Sequence, residues 1–339
     1  MMIEKAIMKI VDKQDLTYDE AYSVIDEILA GKTTVAQNAA FLAALSTKGT
    51  KSETEAEIEG CAAAMRARAV PFDHPYKVLD IGGTGGDRSG TFNVSTTSAF
   101  VTAAAGVKVA KHGNRAVSSS CGSADVLEAL GANIAQSPDT AAALLDDAGI
   151  CFLYVPKYHP SLANLGDISG ELGIRTVFNI LGPMTNPAKP AYQLFGVYNE
   201  LLVMPVAHVL SRLGVQKGMV VYGQDRIDEI SCSAPSTICD FEGDDFDVYT
   251  VTPEDFGIPR CNKSDVSGGT PQDNARITLD ILKGRKSPRY NMTVLNAGAG
   301  IYAGKKARDI KDGVELADKL IADGKAMEVF EAFRNGSAE

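Results

Sequence analysis

A glycine-rich stretch between an apolar run and a helical pattern constrains the fold of this chain most. Residues 77–81 read as a buried β-strand, the G-G-T-G-G-D segment at residues 82–87 reads as a turn, and a helix is predicted from about Ser95. Glycines allow positive φ and close approach of the backbone to a ligand. Consecutive amides beside a helix N-terminus attract anions. The stretch therefore predicts a phosphate or pyrophosphate site, although a tight turn without a ligand is the alternative.

From Pro71 onward, short apolar runs alternate with helical patterns, which predicts an α/β domain with a largely parallel sheet. The candidate strands are residues 77–81, 107–110, 151–155, 193–197 and 219–222, and the helical stretches include residues 125–130, 201–213, 274–282 and 310–333. Residues 240–270 are predicted to be irregular or short antiparallel structure. The first ~70 residues are predicted to be all-helical, with capping boxes that begin at Thr17, Thr34 and Ser52.

Composition excludes several classes of protein. The net charge of −10 argues against a nucleic-acid-binding protein, which normally carries a basic face. No run of ~18 apolar residues is present, so we expect no membrane span. The six cysteines are scattered without a C-x-x-C pair, and they predict reduced thiols in a cytoplasmic protein.

A second polar segment, K-H-G-N-R at residues 111–115, follows the predicted strand at residues 107–110. Because parallel strands end at one edge of a sheet, this segment should open beside the glycine-rich turn. Its cations, imidazole and amide, with the serines that follow, suit a charged phosphate ester. The alternative is that Lys111 and Arg115 are solvated loop charges.

Asp228 and Glu229 come after the predicted strand at residues 219–222. This position should place them at the same edge of the sheet. Adjacent carboxylates there are typical ligands for Mg²⁺, which prefers hard oxygen donors and often shares its shell with substrate phosphates. A solvated acidic turn is the alternative.

Together these residues closely resemble the anthranilate phosphoribosyltransferases, over about residues 3–335. The matching motifs are G-T-G-G-D at residues 83–87, N-V-S-T at 93–96, K-H-G-N-R at 111–115, G-S-A-D-V-L-E-A-L-G at 122–131 and L-G-I-R-T-V-F-N-I-L-G-P at 172–183. The acidic pair at residues 228–229 matches the metal acids of the family.

The resemblance implies an α/β fold class with a small all-helical domain and a large α/β domain whose central sheet is mostly parallel. Residues 1–70 with about 164–187 would form the helical, dimerisation domain. Residues 71–163 with 188–339 would form the domain that binds phosphoribosyl pyrophosphate (PRPP). It also implies a homodimer through the helical domains and a cleft for both small-molecule substrates between the two domains.

The implied activity is transfer of the phosphoribosyl group from PRPP to anthranilate, a Mg²⁺-dependent step of tryptophan biosynthesis. The resemblance assigns to PRPP the residues Gly83, Gly86, Asp87, Thr91, Asn93, Ser95, Thr96, Lys111, Ser119 and Ser123. It assigns Ser95, Asp228 and Glu229 to the metal, directly or through water. The acceptor pocket would contain Gly83, His112, Asn114, His159 and Ser169.

Ser169 departs from the family pattern, which places an arginine ten residues after the histidine that corresponds to His159. That arginine grips the anthranilate carboxylate, and serine carries no cation. Three alternatives follow from this departure or from the fold. The chain could act on another aromatic amine or nitrogen heterocycle without a carboxylate, it could be a non-catalytic ligand-binding protein, or it could be a nucleoside phosphorylase.

Overall fold

The computed structural model describes residues 1–49, 53–116, 120–165 and 168–338, without the side chains of residues 169 and 170. Its N-terminal part is a bundle of helices: α1 Met2–Val11, α2 Tyr18–Leu29, α3 Val35–Thr47 and α4 Glu55–Ala67. This confirms the prediction that the first ~70 residues are helical.

Two of the three predicted capping boxes are confirmed. The Thr17 hydroxyl accepts the Glu20 amide at 3.3 Å, and the Glu20 carboxylate accepts the Thr17 amide at 2.8 Å. The Thr34 box closes in the same way on the residue three positions later. The third predicted box begins at Ser52, which lies outside the described residues, and the N-cap of α4 is Thr54.

The rest of the chain folds around a seven-stranded sheet in the order β3-β2-β1-β4-β5-β6-β7. The strands are β1 Leu79–Gly83, β2 Val109–Gly113, β3 Ile150–Tyr154, β4 Tyr192–Gly196, β5 Lys217–Gly223, β6 Ser236–Glu242 and β7 Asp245–Val251. Strands β1 to β5 are parallel to one another, whereas β6 pairs antiparallel with both β5 and β7. The predicted fold class is confirmed, and the short antiparallel structure in the region of residues 240–270 is the β6–β7 hairpin.

Helices cover the sheet and extend the bundle. They are α5 Val94–Ala104, α6 Ser123–Ala129, α7 Pro138–Asp147, α8 Val155–Tyr158, α9 Ile168–Leu172, α10 Phe178–Met184, α11 Val203–Arg212, α12 Pro271–Leu282, α13 Pro288–Ala303, α14 Ile310–Ala322 and α15 Lys325–Gly336. The last two divide the predicted helical stretch at Gly324, whose φ of 75° ends regular helix. No helix in the described ranges is long and apolar enough to cross a membrane.

The order of the strands sets the place for a ligand. The chain moves outward from β1 through β2 to β3, and then returns to the other side of β1 with β4. The connections that leave β1 and β4 therefore diverge, and a crevice opens at the carboxyl ends of these strands.

The buried apolar side chains form two clusters. One packs α5 and α12 to α15 against the sheet. The other joins α1 to α4 with Val177, Ile180 and Met184 of the α10 region, with α11, and with Phe195 and Phe241 on the sheet. The predicted division into two domains stays a prediction, because this second cluster runs without a break from the helical bundle to the sheet.

Arg66 on α4 reinforces that continuity. Its Nε donates to the Met184 carbonyl and its Nη1 to the Leu213 carbonyl, both at 2.7 Å. The bundle, α10 and the end of α11 are thus held together by one side chain.

Candidate active site

A cavity of about 500 Å³ opens at the carboxyl ends of β1 and β2, against α4 and α10. Most of the residues predicted to bind PRPP line it: Gly83, Gly86, Asp87, Thr91, Asn93, Ser95, Thr96, Lys111 and Ser123. Ser119, the remaining one, lies outside the described residues. His112, Asn114, Asp228 and Glu229 also line the cavity.

The glycine-rich loop after β1 presents backbone amides. The Thr84 amide donates to the Gly196 carbonyl at 2.9 Å, which anchors the start of the loop to the end of β4. Gly85 and Gly86 then adopt φ of 64° and 67°. Within the described residues, the amides of Gly86, Asp87 and Arg88 have no hydrogen-bond partner. These consecutive donors form an anion-binding nest.

The N-terminus of α5 faces the same cavity. Asn93 occupies the N-cap position, but its side chain makes no capping hydrogen bond. Its side-chain Nδ2 instead donates to the Cys121 carbonyl at 3.2 Å, and its Oδ1 accepts from the Asn274 side chain at 2.9 Å. The buried Thr96 hydroxyl has no hydrogen-bond partner in the part of the chain that the structure describes. The helix start therefore keeps donors available for an anionic ligand.

Lys111 on β2 brings a positive charge beneath the loop. Its side chain is buried, and Nζ donates to the Ile81 carbonyl at 2.6 Å and to the Ser95 hydroxyl at 3.3 Å. Burial lowers the pKa of Lys111, and the charges of Asp80 and Glu229 oppose that effect. A pyrophosphate above the loop would add negative charge and favour the protonated ammonium.

Asp228 and Glu229 close the cavity on the β5 side. The Asp228 carboxylate accepts the Gly85 amide at 2.7 Å, and Glu229 accepts the Ser95 amide at 3.2 Å. Burial, followed by the charge of Asp87, raises the pKa of Asp228 to about 7. Burial and the neighbouring Asp228 raise the pKa of Glu229 well above its usual range. The carboxylates therefore lack sufficient positive charge around them.

This deficit of positive charge fits a dication. No three His, Cys, Asp or Glu side chains among the described residues are arranged to enclose a metal ion by themselves. Mg²⁺ does not require such a cage, since one or two carboxylates, waters and substrate phosphates complete its shell. The hard oxygens of Asp228 and Glu229 beside the amide nest suit that type of coordination.

Part of the cavity wall is apolar. It is lined by Met65 from α4, by Leu162 and Leu165 from the short turn before α9, and by Phe178 and Pro183 from α10. Sequence patterns alone do not assign these side chains to the site. The signal for Phe178 was its position in the matched segment at residues 172–183.

His112 also lines the cavity. Its Nδ1 lies 3.2 Å from the Gly182 carbonyl, which assigns the ring proton to Nδ1. Nε2 is buried without a hydrogen-bond partner among the described residues. Burial, with the neighbouring His159, lowers the pKa of His112 well below its usual range, so the ring is neutral and Nε2 is an acceptor.

His159 was predicted to contact the acceptor, but the structure places it behind His112. The two ring centres are 5.1 Å apart, and His159 Nε2 lies 3.0 Å from the Thr185 carbonyl. The residue is only 2% exposed, and burial lowers its pKa to about 4. His159 therefore supports His112 and does not line the described cavity wall.

Two further predictions concern the acceptor end. Asn114 lines the cavity, and its carbonyl accepts the Ser123 hydroxyl at 3.2 Å. The backbone of Ser169 is part of α9, and its side chain lies outside the described part of the structure. Arg115 also lines the cavity, but Glu128 and Asp125 bind its guanidinium at 2.9 and 3.1 Å.

Comparison with known proteins agrees with this geometry. Residues 75–327 match the family described as "Glycosyl transferase family, a/b domain", and residues 4–69 match its helical bundle domain. The anthranilate phosphoribosyltransferase of Methanobrevibacter smithii is 48% identical over 332 residues, which cover 98% of each chain. That of Lacticaseibacillus paracasei is 46% identical over 96% of this chain and 95% of its own length.

Solved structures give the same result. The crystal structure of anthranilate phosphoribosyltransferase from Thermus thermophilus has a TM-score of 0.92 and 39% identity, and covers 98% of this chain and 99% of that one. The enzyme from Saccharomyces cerevisiae, in complex with PRPP and Mg, has a TM-score of 0.90 and 26% identity over 99% of this chain and 98% of its own. This chain belongs to the anthranilate phosphoribosyltransferase family.

Proposed function

We propose that this protein transfers the phosphoribosyl group of PRPP to anthranilate, giving N-(5-phosphoribosyl)anthranilate and pyrophosphate. One observation carries the proposal: an amide nest, a buried ammonium and a carboxylate pair line the same cavity as a group of apolar side chains. The polar groups suit a pyrophosphate with a dication, and the apolar side chains suit an aromatic ring. The curated relatives with 45–48% identity bear the name of this activity.

PRPP would bind across the glycine-rich loop and the start of α5. The free amides at residues 86–88 would donate to the pyrophosphate, and Lys111 would neutralise part of its charge. The remaining predicted contacts are proposed to come from Gly83, Thr91, Asn93, Ser95, Thr96, Ser119 and Ser123. Donors fixed before the reaction stabilise charge that grows on the leaving group without reorganisation at the moment of reaction.

Asp228 and Glu229, with the Ser95 hydroxyl, are proposed to hold Mg²⁺. The ion, when bound, supplies positive charge to the departing pyrophosphate. The support for this assignment is the raised pKa of both carboxyl groups, together with the Mg-bound structure of the yeast relative.

The acceptor would lie with its ring against Phe178 and its amine toward His112. An aniline nitrogen is neutral at pH 7, so placing its lone pair beside the ribose C1 matters more than a strong base. A C–N bond forms at C1 as the bond to the pyrophosphate oxygen breaks. We propose that His112 Nε2, unprotonated and without a partner in the described structure, accepts the N–H of the amine and then its proton.

Loss of anthranilate fluorescence on mixing with PRPP and Mg²⁺ tests the proposal. Anthranilate should be varied from micromolar to millimolar, with a chelator in the control reaction. Turnover with a micromolar KM supports anthranilate as the acceptor. No turnover, while PRPP still binds in a calorimetric titration, would mean that the acceptor has changed, and uncharged aromatic amines would then be assayed.

We further propose a cytoplasmic homodimer that assembles through the helical bundle. The support is a set of exposed apolar side chains there, with Met8 62%, Val11 61% and Val35 63% exposed. Single-residue exposure is common, but these side chains belong to one bundle that the family resemblance assigns to dimerisation. No cysteine among the described residues forms a disulfide, which fits a reducing compartment. Light scattering on wild type and Met8→Glu tests the dimer, which the substitution should weaken.

A further inference from the structure

Arg175 makes an unusual contact with the phosphate-binding loop. It belongs to the segment before α10, and its Nη2 donates to the carbonyl oxygen of Gly86. Its guanidinium carbon lies 4.2 Å from the centre of the Tyr198 ring, within the range of a cation–π contact. Its guanidinium is therefore engaged by the loop and by an aromatic face.

Tyr198 belongs to the same framework. Its amide donates to the Thr84 hydroxyl at 3.1 Å, and the Thr84 amide donates to the Gly196 carbonyl at 2.9 Å. The segment that follows β4 thus holds the first part of the loop directly. Through the stacked guanidinium of Arg175, it also supports the second part at Gly86.

The orientation of one peptide depends on this contact. In a planar trans peptide the C=O and N–H bonds point in opposite directions. With the Gly86 carbonyl directed at Arg175, the amide of Asp87 points away from Arg175. That amide is one of the nest donors without a partner in the described chain. Gly86 has φ of 67°, a conformation reached by glycine at little cost, so its own backbone preference does not fix this peptide.

We propose that Arg175 is a positioning residue for PRPP, which acts by fixing the Gly86–Asp87 peptide in its anion-binding orientation. The inference rests on the proposed function, because it concerns the same phosphate-binding loop. Arg175 also precedes Phe178 by three residues. One short segment therefore carries both the side chain that binds the loop and Phe178, which lines the apolar part of the cavity.

Arg175→Ala tests the proposal. We expect PRPP, titrated calorimetrically with Mg²⁺, to bind about tenfold to a hundredfold more weakly, the range for loss of a charged hydrogen bond. KM for PRPP should rise by a similar factor, while kcat and the melting temperature change little. Arg175→Lys keeps the charge without the planar fork and should recover part of the affinity. Tyr198→Leu, which removes the supporting ring, should give a smaller loss in the same direction.

Arg276→Ala is the matched control, since Arg276 is an exposed arginine on α12 paired with Asp273. It should bind PRPP as the wild type does. Wild-type affinity in Arg175→Ala would overturn the inference and leave the proposed function intact. Equal losses in kcat, in both KM values and in thermal stability would also overturn it, because they indicate a general structural role. A wild-type protein that does not bind PRPP would remove both proposals.

Discussion

The backbone carbonyl oxygen of Asp228 occupies the space that a β-carbon on Gly196 would need. The Cα of Asp228 is also only 3.2 Å from that position, so rotation of a side chain could not relieve the overlap. Gly83, the partner of Gly196 in the β1–β4 register, faces the Asp228 carboxylate in the same manner. Two strand ends without side chains thus allow the acidic segment to lie against the sheet.

Gly196→Ala should therefore displace the acidic pair. We expect kcat/KM to fall about a hundredfold, since displacements of about 1 Å at a catalytic site have effects of that size. Overpacking should also lower the free energy of unfolding by about 1–3 kcal/mol. Activity over a range of Mg²⁺ concentrations, with a urea titration, measures the two effects separately.

Gly218→Ala is the control for this loss of stability. A β-carbon at Gly218, on β5, would approach the Phe241 ring to 2.7 Å and would not meet the acidic segment. We expect reduced stability with an unchanged requirement for Mg²⁺. Equal loss of activity in the two variants would contradict a specific effect of Gly196 on Asp228.

Ser169→Arg should restore the cation that the family pattern places at this position. A charged hydrogen bond to the carboxylate should lower KM for anthranilate by about tenfold to a hundredfold. KM for PRPP should not change. Ser169→Gln provides a long side chain without charge and should not reproduce the gain. If neither substitution alters KM, the carboxylate is bound by a different group.

Glu57 is the centre of a buried polar cluster in the helical bundle. Its carboxylate lies 2.5 Å from Lys48 Nζ and accepts the amides of Leu16 and Thr54 at 2.8 and 2.7 Å. Glu57→Ala leaves the Lys48 ammonium buried without its main partner. We expect the free energy of unfolding to fall by about 3–5 kcal/mol.

Asp15→Ala is the comparison for that variant, because Asp15 binds the same ammonium with a side chain that is 64% exposed. An exposed partner should contribute less than about 1 kcal/mol. Chemical denaturation of the two variants gives both values, and losses of equal size would show that burial of Glu57 is not decisive.

Burial of His159 predicts a pH dependence of stability. Its pKa is lowered from 6.5 to about 4 in the folded protein, so the unfolded chain binds its proton first as pH falls. Stability is complete above pH 6.5, declines below it, and has lost about 3 kcal/mol once the pH is below 4. Urea titrations across this range should show a smaller decline for His159→Gln. The same decline in both proteins would assign the effect to other groups.

The strands and the phosphate-binding half could be predicted from the sequence because local signals mark them. Five apolar runs gave strands within three residues of their observed bounds, and β1 extends to Gly83 because its glycines pair with β4. Ser52 and Thr54 each precede an acidic residue by three positions, so both patterns fit a capping box. Tertiary packing selects Thr54, since the Glu57 of its box also binds Lys48.

The apolar part of the cavity wall could not be predicted in the same way. Met65, Leu165 and Phe178 come from three separate segments, and each is an ordinary apolar residue in its own pattern. Nor does sequence distinguish the two histidines, because only the packing of His159 against the Thr185 carbonyl places it behind His112.

The hydrogen bonds of Arg66 have a consequence for the order in which the chain is made. The N-terminal helices leave the ribosome well before Met184 and Leu213, whose carbonyls Arg66 binds. The apolar faces of α2 and α4 belong to a cluster that is complete only when Phe241 has also been synthesised. During translation these faces remain without their final neighbours, so the helical bundle, although synthesised early, can reach its native packing only after residue 241 has been made.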